Sequence, residues 1–173
     1  DPEKAVEAWR KTILDFQPDA TYSVNFTIYA MDQVLSELDF KAMKWPGHGV
    51  PENQPFQFVE DEYMLAEEYD LFFENPGEYL VRYVLPRLAG NLKGLAKLPP
   101  FYTIALGYVW PTTLPAFTDS EIIKALETIL QASKAHISWM KAYSSFAKEL
   151  IELGFPSIKE QTVFSPYDII ADN

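Results

Sequence analysis

The chain contains no cysteine. That absence excludes a disulfide framework, a cysteine nucleophile and a thiolate metal site built from these residues, and it fits a cytoplasmic address. Basic residues are scarce: 14 Lys and Arg stand against 25 Asp and Glu, for a formal net charge of -11. Nucleic acid and anionic membrane surfaces both require a basic face, so neither is an expected partner. No apolar run is long enough to span a bilayer, and no signal-peptide pattern is present. There are only two histidines, His48 and His136. The chain has no glycine-rich phosphate loop, no Ser-His-Asp order and no His-Glu-x-x-His motif. Internal repeats, low-complexity segments and flexible linkers are also absent.

Hydrophobic residues make up 48% of the chain and aromatics 15%, which places it with packed globular proteins rather than disordered ones. A length of 173 residues fits one domain. Asp1-Pro2-Glu3 reads as a helix start, and Asp168 to Asn173 as the first turn of another helix. Both ends therefore read as cuts through a larger fold.

Val6, Trp9, Ile13 and Phe16 keep helical spacing up to Pro18-Asp19. Ala20 to Val24 is β-prone, Ile28 to Leu38 reads as a helix, and Ala42 to Trp45 as the next strand. This alternation predicts βαβ units and a parallel sheet. Leu65 to Phe73 is acidic and amphipathic, and Asn75-Pro76-Gly77-Glu78 restarts a helix that Pro86 kinks or ends. Gly90 to Lys97 adds a short helix, and Phe101 to Trp110 reads equally as a buried strand or a buried helix. Thr118-Asp-Ser-Glu121 is a capping box. The helix behind it carries Ile122, Leu126, Ile129, Ser133, Ile137, Met140, Ser144, Ala147 and Ile151 on one stripe, and stops at Gly154. About 34 residues at 1.5 Å each give roughly 50 Å, so a bend or break is expected. Thr162 to Phe164 is the last predicted strand.

Met43 to Met64 carries the strongest local signal. Two apolar runs, Ala42 to Trp45 and Phe56 to Val59, flank a loop with Pro46, Pro51, Pro55, Gly47 and Gly49, and His48 sits between the two glycines. Such a loop between strand-like runs suits a site carried on strand ends. His48 reads as a proton donor or substrate contact, or as a solvated loop histidine. His136, in mid-helix, reads as a packing or surface residue. Within Glu60, Asp61 and Glu62, one carboxylate points into a site or the run is a solvated face. Glu62 is the catalytic candidate of the three and Glu60 a substrate contact. Tyr63 hydrogen-bonds a carboxylate or packs. Asp168 and Asp172 share a helical face at i, i+4, as a carboxylate pair with divergent pKa values or with Asp168 as an N-cap. The catalytic candidates are thus Asp168, His48 and Glu62. The substrate-binding candidates are Asn25, Trp45, Glu60, Tyr63, Tyr167 and Asp172. Glu67, Glu68 and Asp70 read as surface residues. No metal-ligand set is expected within the chain.

Three stretches in order resemble the uroporphyrinogen decarboxylase superfamily: Asp19-Ala-Thr-Tyr-Ser-Val-Asn25, Met43-Lys-Trp-Pro-Gly-His-Gly49, and Gly154-Phe-Pro156 followed by Phe164-Ser-Pro-Tyr-Asp-Ile-Ile-Ala-Asp172. The second is similar to that enzyme's Val-Pro-Gly-Lys-Gly segment, with His48 where the decarboxylase carries lysine. The resemblance covers nearly the whole chain. It implies an α/β fold, a partial (β/α)8 TIM barrel with parallel strands and long helices, in one domain over residues 1–173 truncated at both ends. A complete barrel needs about 250 residues.

In the resemblance, the decarboxylase's catalytic aspartate falls at Asn25 or Phe26, and its active-site tyrosine at Asp172. These departures turn the expectation from uroporphyrinogen decarboxylation toward the superfamily's corrinoid-linked methyl transfer to a thiol. Decarboxylation of uroporphyrinogen or a related substrate is the first alternative, and a non-catalytic binding module the second. The expected partner is a small molecule or a corrinoid protein. Zinc and a corrinoid belong, by the resemblance, to the longer parent, and the isolated fragment is expected to be inactive. Exposed edges of an incomplete barrel predict self-association.

Overall fold

The computed structural model describes residues 1–22 and 32–158. Asn25, Tyr167, Asp168, Asp172 and the predicted strand Thr162 to Phe164 lie outside the described residues. In chain order the regular elements are α1 (Pro2–Phe16), β1 (Thr21–Tyr22), α2 (Asp32–Leu38), β2 (Met43–Pro46), β3 (Gly49–Val50) and β4 (Gln57–Phe58). Next come α3 (Tyr69–Glu74), α4 (Pro76–Tyr79), α5 (Leu85–Leu88), α6 (Phe101–Ala105), α7 (Trp110–Thr113), α8 (Ser120–Glu152) and β5 (Ser157–Ile158). The described chain is therefore a mixture of α and β in which helix dominates. It divides into two compact units: residues 1–22, 32–34 and 133–158 form one, and residues 35–132 the other.

In the first unit, Asp1 Oδ1 accepts from the Glu3 N–H at 3.0 Å and starts α1, with Pro2 in the first turn. Gln17 closes the helix in the left-handed region, its N–H bonded to the Ile13 carbonyl at 2.9 Å. Of the expected α1 stripe, Val6 and Ile13 are buried, whereas Phe16 is 79% exposed. Val6 and Ile13 pack with Trp139, Tyr143, Phe146, Leu150 and Phe155. Arg10 grips Glu149 with two hydrogen bonds of 2.6 and 2.7 Å. β1 pairs in parallel with β5, with Thr21 opposite Ser157.

The second unit has two apolar clusters. One gathers Ala89, Leu92, Leu95, Leu98, Ile122 and Ala125; the other gathers Tyr63, Met64, Phe72, Tyr79 and Val84. Asn75 restarts the helix as expected, its Oδ1 accepting from the Glu78 N–H at 3.2 Å. Pro86 neither breaks nor sharply ends the 76–88 helix. Because Pro86 lacks an N–H, the preceding turn (Leu80–Val84) widens to π geometry, and the Leu85 N–H bonds back to the Leu80 carbonyl.

Several expectations are corrected here. The strands do not form a run of parallel barrel strands among the described residues: β2 pairs antiparallel with β4, Met43 opposite Phe58, in a three-strand mixed sheet ordered β3-β2-β4. Phe101 to Trp110 is neither a buried strand nor a buried helix, but the short helices α6 and α7 joined by a 3-10 turn, with Tyr102 65% and Tyr108 80% exposed. Finally, α8 runs unbroken for 33 residues. It contains no Pro or Gly to kink it. Its buried residues are Ile122, Ala125, Ala132, Ala135, Trp139, Tyr143, Phe146 and Leu150. Leu126, Ile137, Met140 and Ile151, expected on the core stripe, are exposed. Small alanines and the large aromatics take the core face instead. The N-cap is also one residue later than expected, since Asp119 Oδ1 accepts from the Glu121 N–H at 2.8 Å while the Thr118 hydroxyl donates to the Pro115 carbonyl.

Candidate functional site

The sequence Trp45-Pro46-Gly47-His48 dictates a tight turn at the end of β2. Pro46 fixes the first central position and Gly47, at φ 79, supplies the positive φ that the second requires in a type II turn. The His48 N–H donates to the Trp45 carbonyl at 2.8 Å, and the Trp45 N–H donates to the His48 carbonyl at 3.0 Å. The Gly47 N–H continues to the Val50 carbonyl at 3.0 Å. This geometry lays the imidazole of His48 on the indole of Trp45, with ring centroids 4.8 Å apart and planes 30° apart. Trp45 is buried at 6% exposure, and His48 is exposed. The Trp45 Nε1 has no hydrogen-bond partner among the described residues. The result is an exposed imidazole whose ring is held by a buried platform.

The acidic run leaves the sheet elsewhere. β4 runs antiparallel to β2, and the Val59 N–H bonds to the Ala42 carbonyl at 2.9 Å. Residues after Val59 therefore pass the start of β2, whereas His48 stands past its end, roughly 10 Å along the strand. Parallel strands would have brought the two to one mouth; the antiparallel register sends Glu60 and Glu62 away from His48. Glu60, Asp61 and Glu62 are exposed, and Asp61 Oδ1 accepts from the Glu62 N–H at 2.8 Å. Tyr63 is buried, and its hydroxyl donates to the Val59 carbonyl at 3.1 Å. Burial, and then the nearby charge of Asp61, push the Tyr63 phenol up.

The strongest electrostatic constellation is one that sequence reading assigned to the surface. The Arg87 Nη2 and Nη1 donate to Glu68 Oε1 and Oε2, both at 2.6 Å. Arg87 Nη1 also donates to the Tyr63 carbonyl at 2.8 Å. The Tyr79 hydroxyl donates to Glu68 Oε2 at 2.6 Å, and the Leu65 N–H donates to the same oxygen at 3.1 Å. Arg87 holds the Glu68 carboxyl down to about 2, against the upward push of burial and with help from Tyr79 and Leu65. Burial, and then the ionised Glu68, push the Tyr79 phenol up to about 12. Glu68 is thereby a committed anion with its acceptor capacity engaged, which suits a structural pin better than a general base. The one sequence signal for it is the spacing of Leu65 and Glu68, that of a capping box without the usual Ser or Thr.

Compared with known protein families, with characterised proteins and with solved structures, the chain matches none. Among the described residues no group of three or more His, Cys, Asp or Glu side chains could hold a metal ion, and no helix is long and apolar enough to cross a membrane. His136 is exposed on α8.

Proposed function

We propose that the chain is part of a uroporphyrinogen decarboxylase-like enzyme, a partial (β/α)8 barrel whose parent transfers a methyl group from a corrinoid to a thiol. The three ordered motifs of the sequence support this reading, as does the parallel pairing of β1 with β5. The observation that carries it is the Trp45–His48 stack, since an exposed imidazole on a rigid turn is pre-organised to touch a substrate. The zinc that makes a thiol nucleophilic in such enzymes does not fit the donor set here. There is no cysteine in the chain and no cluster of ligand-type side chains among the described residues. Any such metal would be held by other residues of the parent, and the part taken by this chain is substrate contact through His48.

The test is an assay of the parent with methylcobalamin and a thiol, following cob(I)alamin spectroscopically, beside an assay of carbon dioxide release from uroporphyrinogen. Thiol-dependent demethylation that drops about tenfold or more in His48→Ala supports the proposal. Uroporphyrinogen turnover without demethylation overturns it. A second reading, a non-catalytic binding module, is favoured by the saturation of Glu68, Tyr79 and Arg87 with one another. Inactivity of the parent in both assays would support that reading.

A further inference from the structure

The apolar stripe of α1 divides in the structure. Val6 and Ile13 are buried, but Trp9 and Phe16, spaced to join them, stay 38% and 79% exposed. Trp9, Ile13 and Phe16 instead line a cleft of about 260 Å³ within the first unit, together with Pro18, Ala20 and Thr21, where the chain turns into β1. An apolar cavity of about 150 Å³ already holds benzene, so this cleft has room for two fused rings. Its surface is ring, methyl and proline, and none of the described residues that line it is charged. Two hydroxyls interrupt the apolar lining, and they differ. The Thr12 hydroxyl donates to the Ala8 carbonyl at 2.9 Å, within its own helix. Thr21 is 7% exposed, and its hydroxyl reaches the Pro156 carbonyl only at 3.5 Å, the outer limit of a hydrogen bond. That carbonyl already accepts the Thr21 N–H at 2.8 Å. A buried hydroxyl so weakly engaged costs free energy unless a partner meets it, and its oxygen has lone pairs to offer.

We propose that this cleft binds a small neutral aromatic molecule, two fused rings carrying one N–H or O–H donor, with the donor on the Thr21 hydroxyl oxygen. Each property of the ligand follows from one property of the cleft. The volume sets the ring count. The rings of Trp9 and Phe16 offer faces and edges for offset or T-shaped contact, which favours an aromatic guest over an aliphatic one. The uncharged lining gives a carboxylate, phosphate or ammonium nothing to pair with, so a charged ligand would lose its hydration without return. Thr21 supplies the single polar contact that orients the guest, the usual arrangement of an apolar site with few polar groups. This inference stands independently of the methyl-transfer reading, because no residue of the cleft is among the catalytic or substrate-binding candidates for that chemistry.

Isothermal titration calorimetry of the chain with indole tests it. Indole should bind at one site with a dissociation constant of about 1 mM or tighter. 1-Methylindole keeps the rings but has no donor, and should bind about fivefold more weakly. Thr21→Val should weaken indole by a similar factor and erase the difference between the two ligands. Phe16→Ala, at a side chain too exposed to carry the fold, should weaken both ligands about threefold or more with an unchanged thermal melt. Phe58→Ala, at an exposed aromatic of the second unit, should leave the affinity unchanged. Indole-3-acetate should bind more weakly than indole, since the cleft offers its carboxylate no cation. If Thr21→Val does not fold, the 1-methylindole comparison and Phe16→Ala decide between them. Absence of saturable indole binding overturns the proposal. So does equal affinity for indole and 1-methylindole, tighter binding of indole-3-acetate, or indole binding indifferent to Phe16→Ala.

Discussion

Arg87 holds Glu68 by a two-pronged pair, both contacts 2.6 Å, and with one of the same nitrogens reaches the Tyr63 carbonyl. The arginine thus ties three segments of the second unit: α5, the turn before α3, and the residues that follow β4. Arg87→Ala should lower stability by about 2–3 kcal/mol, since it leaves a half-buried carboxylate and a carbonyl without their partner. Arg87→Lys should recover less than half of that loss, because one ammonium cannot reproduce the fork. Denaturant unfolding of the three proteins at neutral pH checks both statements.

The same pair sets an acid limit. The Glu68 carboxyl is lowered from an ordinary 4.5 to about 2 in the fold. A lowered folded-state pKa contributes stability that is fully present above about pH 4.5 and is lost as the pH falls toward 2. The contribution is on the order of 2 kcal/mol after allowance for solvent screening. Thermal melts from pH 7 to pH 2 should show a drop in Tm below pH 4.5 that is shallower in Glu68→Gln. Equal slopes in the two proteins would remove Glu68 as the cause.

Tyr79 is 1% exposed and its hydroxyl donates a hydrogen bond to the ionised Glu68 at 2.6 Å, while its ring stacks on Tyr83 at 5.3 Å. Tyr79→Phe keeps the ring and removes only that charge-assisted bond, so it should destabilise by about 1.5–3 kcal/mol. Because burial and Glu68 raise the phenol to about 12, the stability it contributes is present below about pH 10 and is lost as the pH rises through 12. The mutant should therefore lose less stability than the wild type between pH 10 and 12, as alkaline melts would show.

Local signals in the sequence predicted well at most places where one residue acts on its own backbone, the Thr118 cap being taken by Asp119. Asp1, Asn75 and the Pro46-Gly47 turn are where their side chains demand. Signals that depend on a distant partner did not predict well. Glu68 looks like one more surface acid until Arg87, 19 residues on, and Tyr79, 11 residues on, close around it. The apolar residues of α8 offer two stripes, and periodicity does not tell which one a partner covers; Trp139, Tyr143 and Phe146 won because their cluster includes Val6 and Ile13, while Ile122 and Ala125 pack with Leu92 and Leu95. Phe101 to Trp110 was unreadable for a similar reason, since an uncharged run has the same composition whether it faces its own core or another surface. The direction of β4 was equally hidden, because an apolar run of four residues does not say whether its neighbour is parallel. That single ambiguity decided whether Glu60 and Glu62 share an end of the sheet with His48.

Two glycines separate strain from space. Gly47 sits at φ 79 with nothing within 4 Å of a would-be Cβ. Gly47→Ala therefore carries only the left-handed backbone penalty, about 1 kcal/mol, but it loosens the turn that holds His48 on Trp45. Gly94 has the opposite problem. Its backbone is ordinary, yet a Cβ there would overlap the carbonyl of Glu121 in the first turn of α8. Backbone cannot rotate aside as a side chain can, so Gly94→Ala should displace α8 from the Leu92–Leu95 cluster and destabilise by about 2–3 kcal/mol. Denaturant melts should rank the two with Gly94→Ala clearly worse, and Trp fluorescence should change more in Gly47→Ala than its small stability loss implies. The reverse ranking would mean that α8 and the 90–97 turn are not packed as closely as the Glu121 carbonyl and Gly94 require.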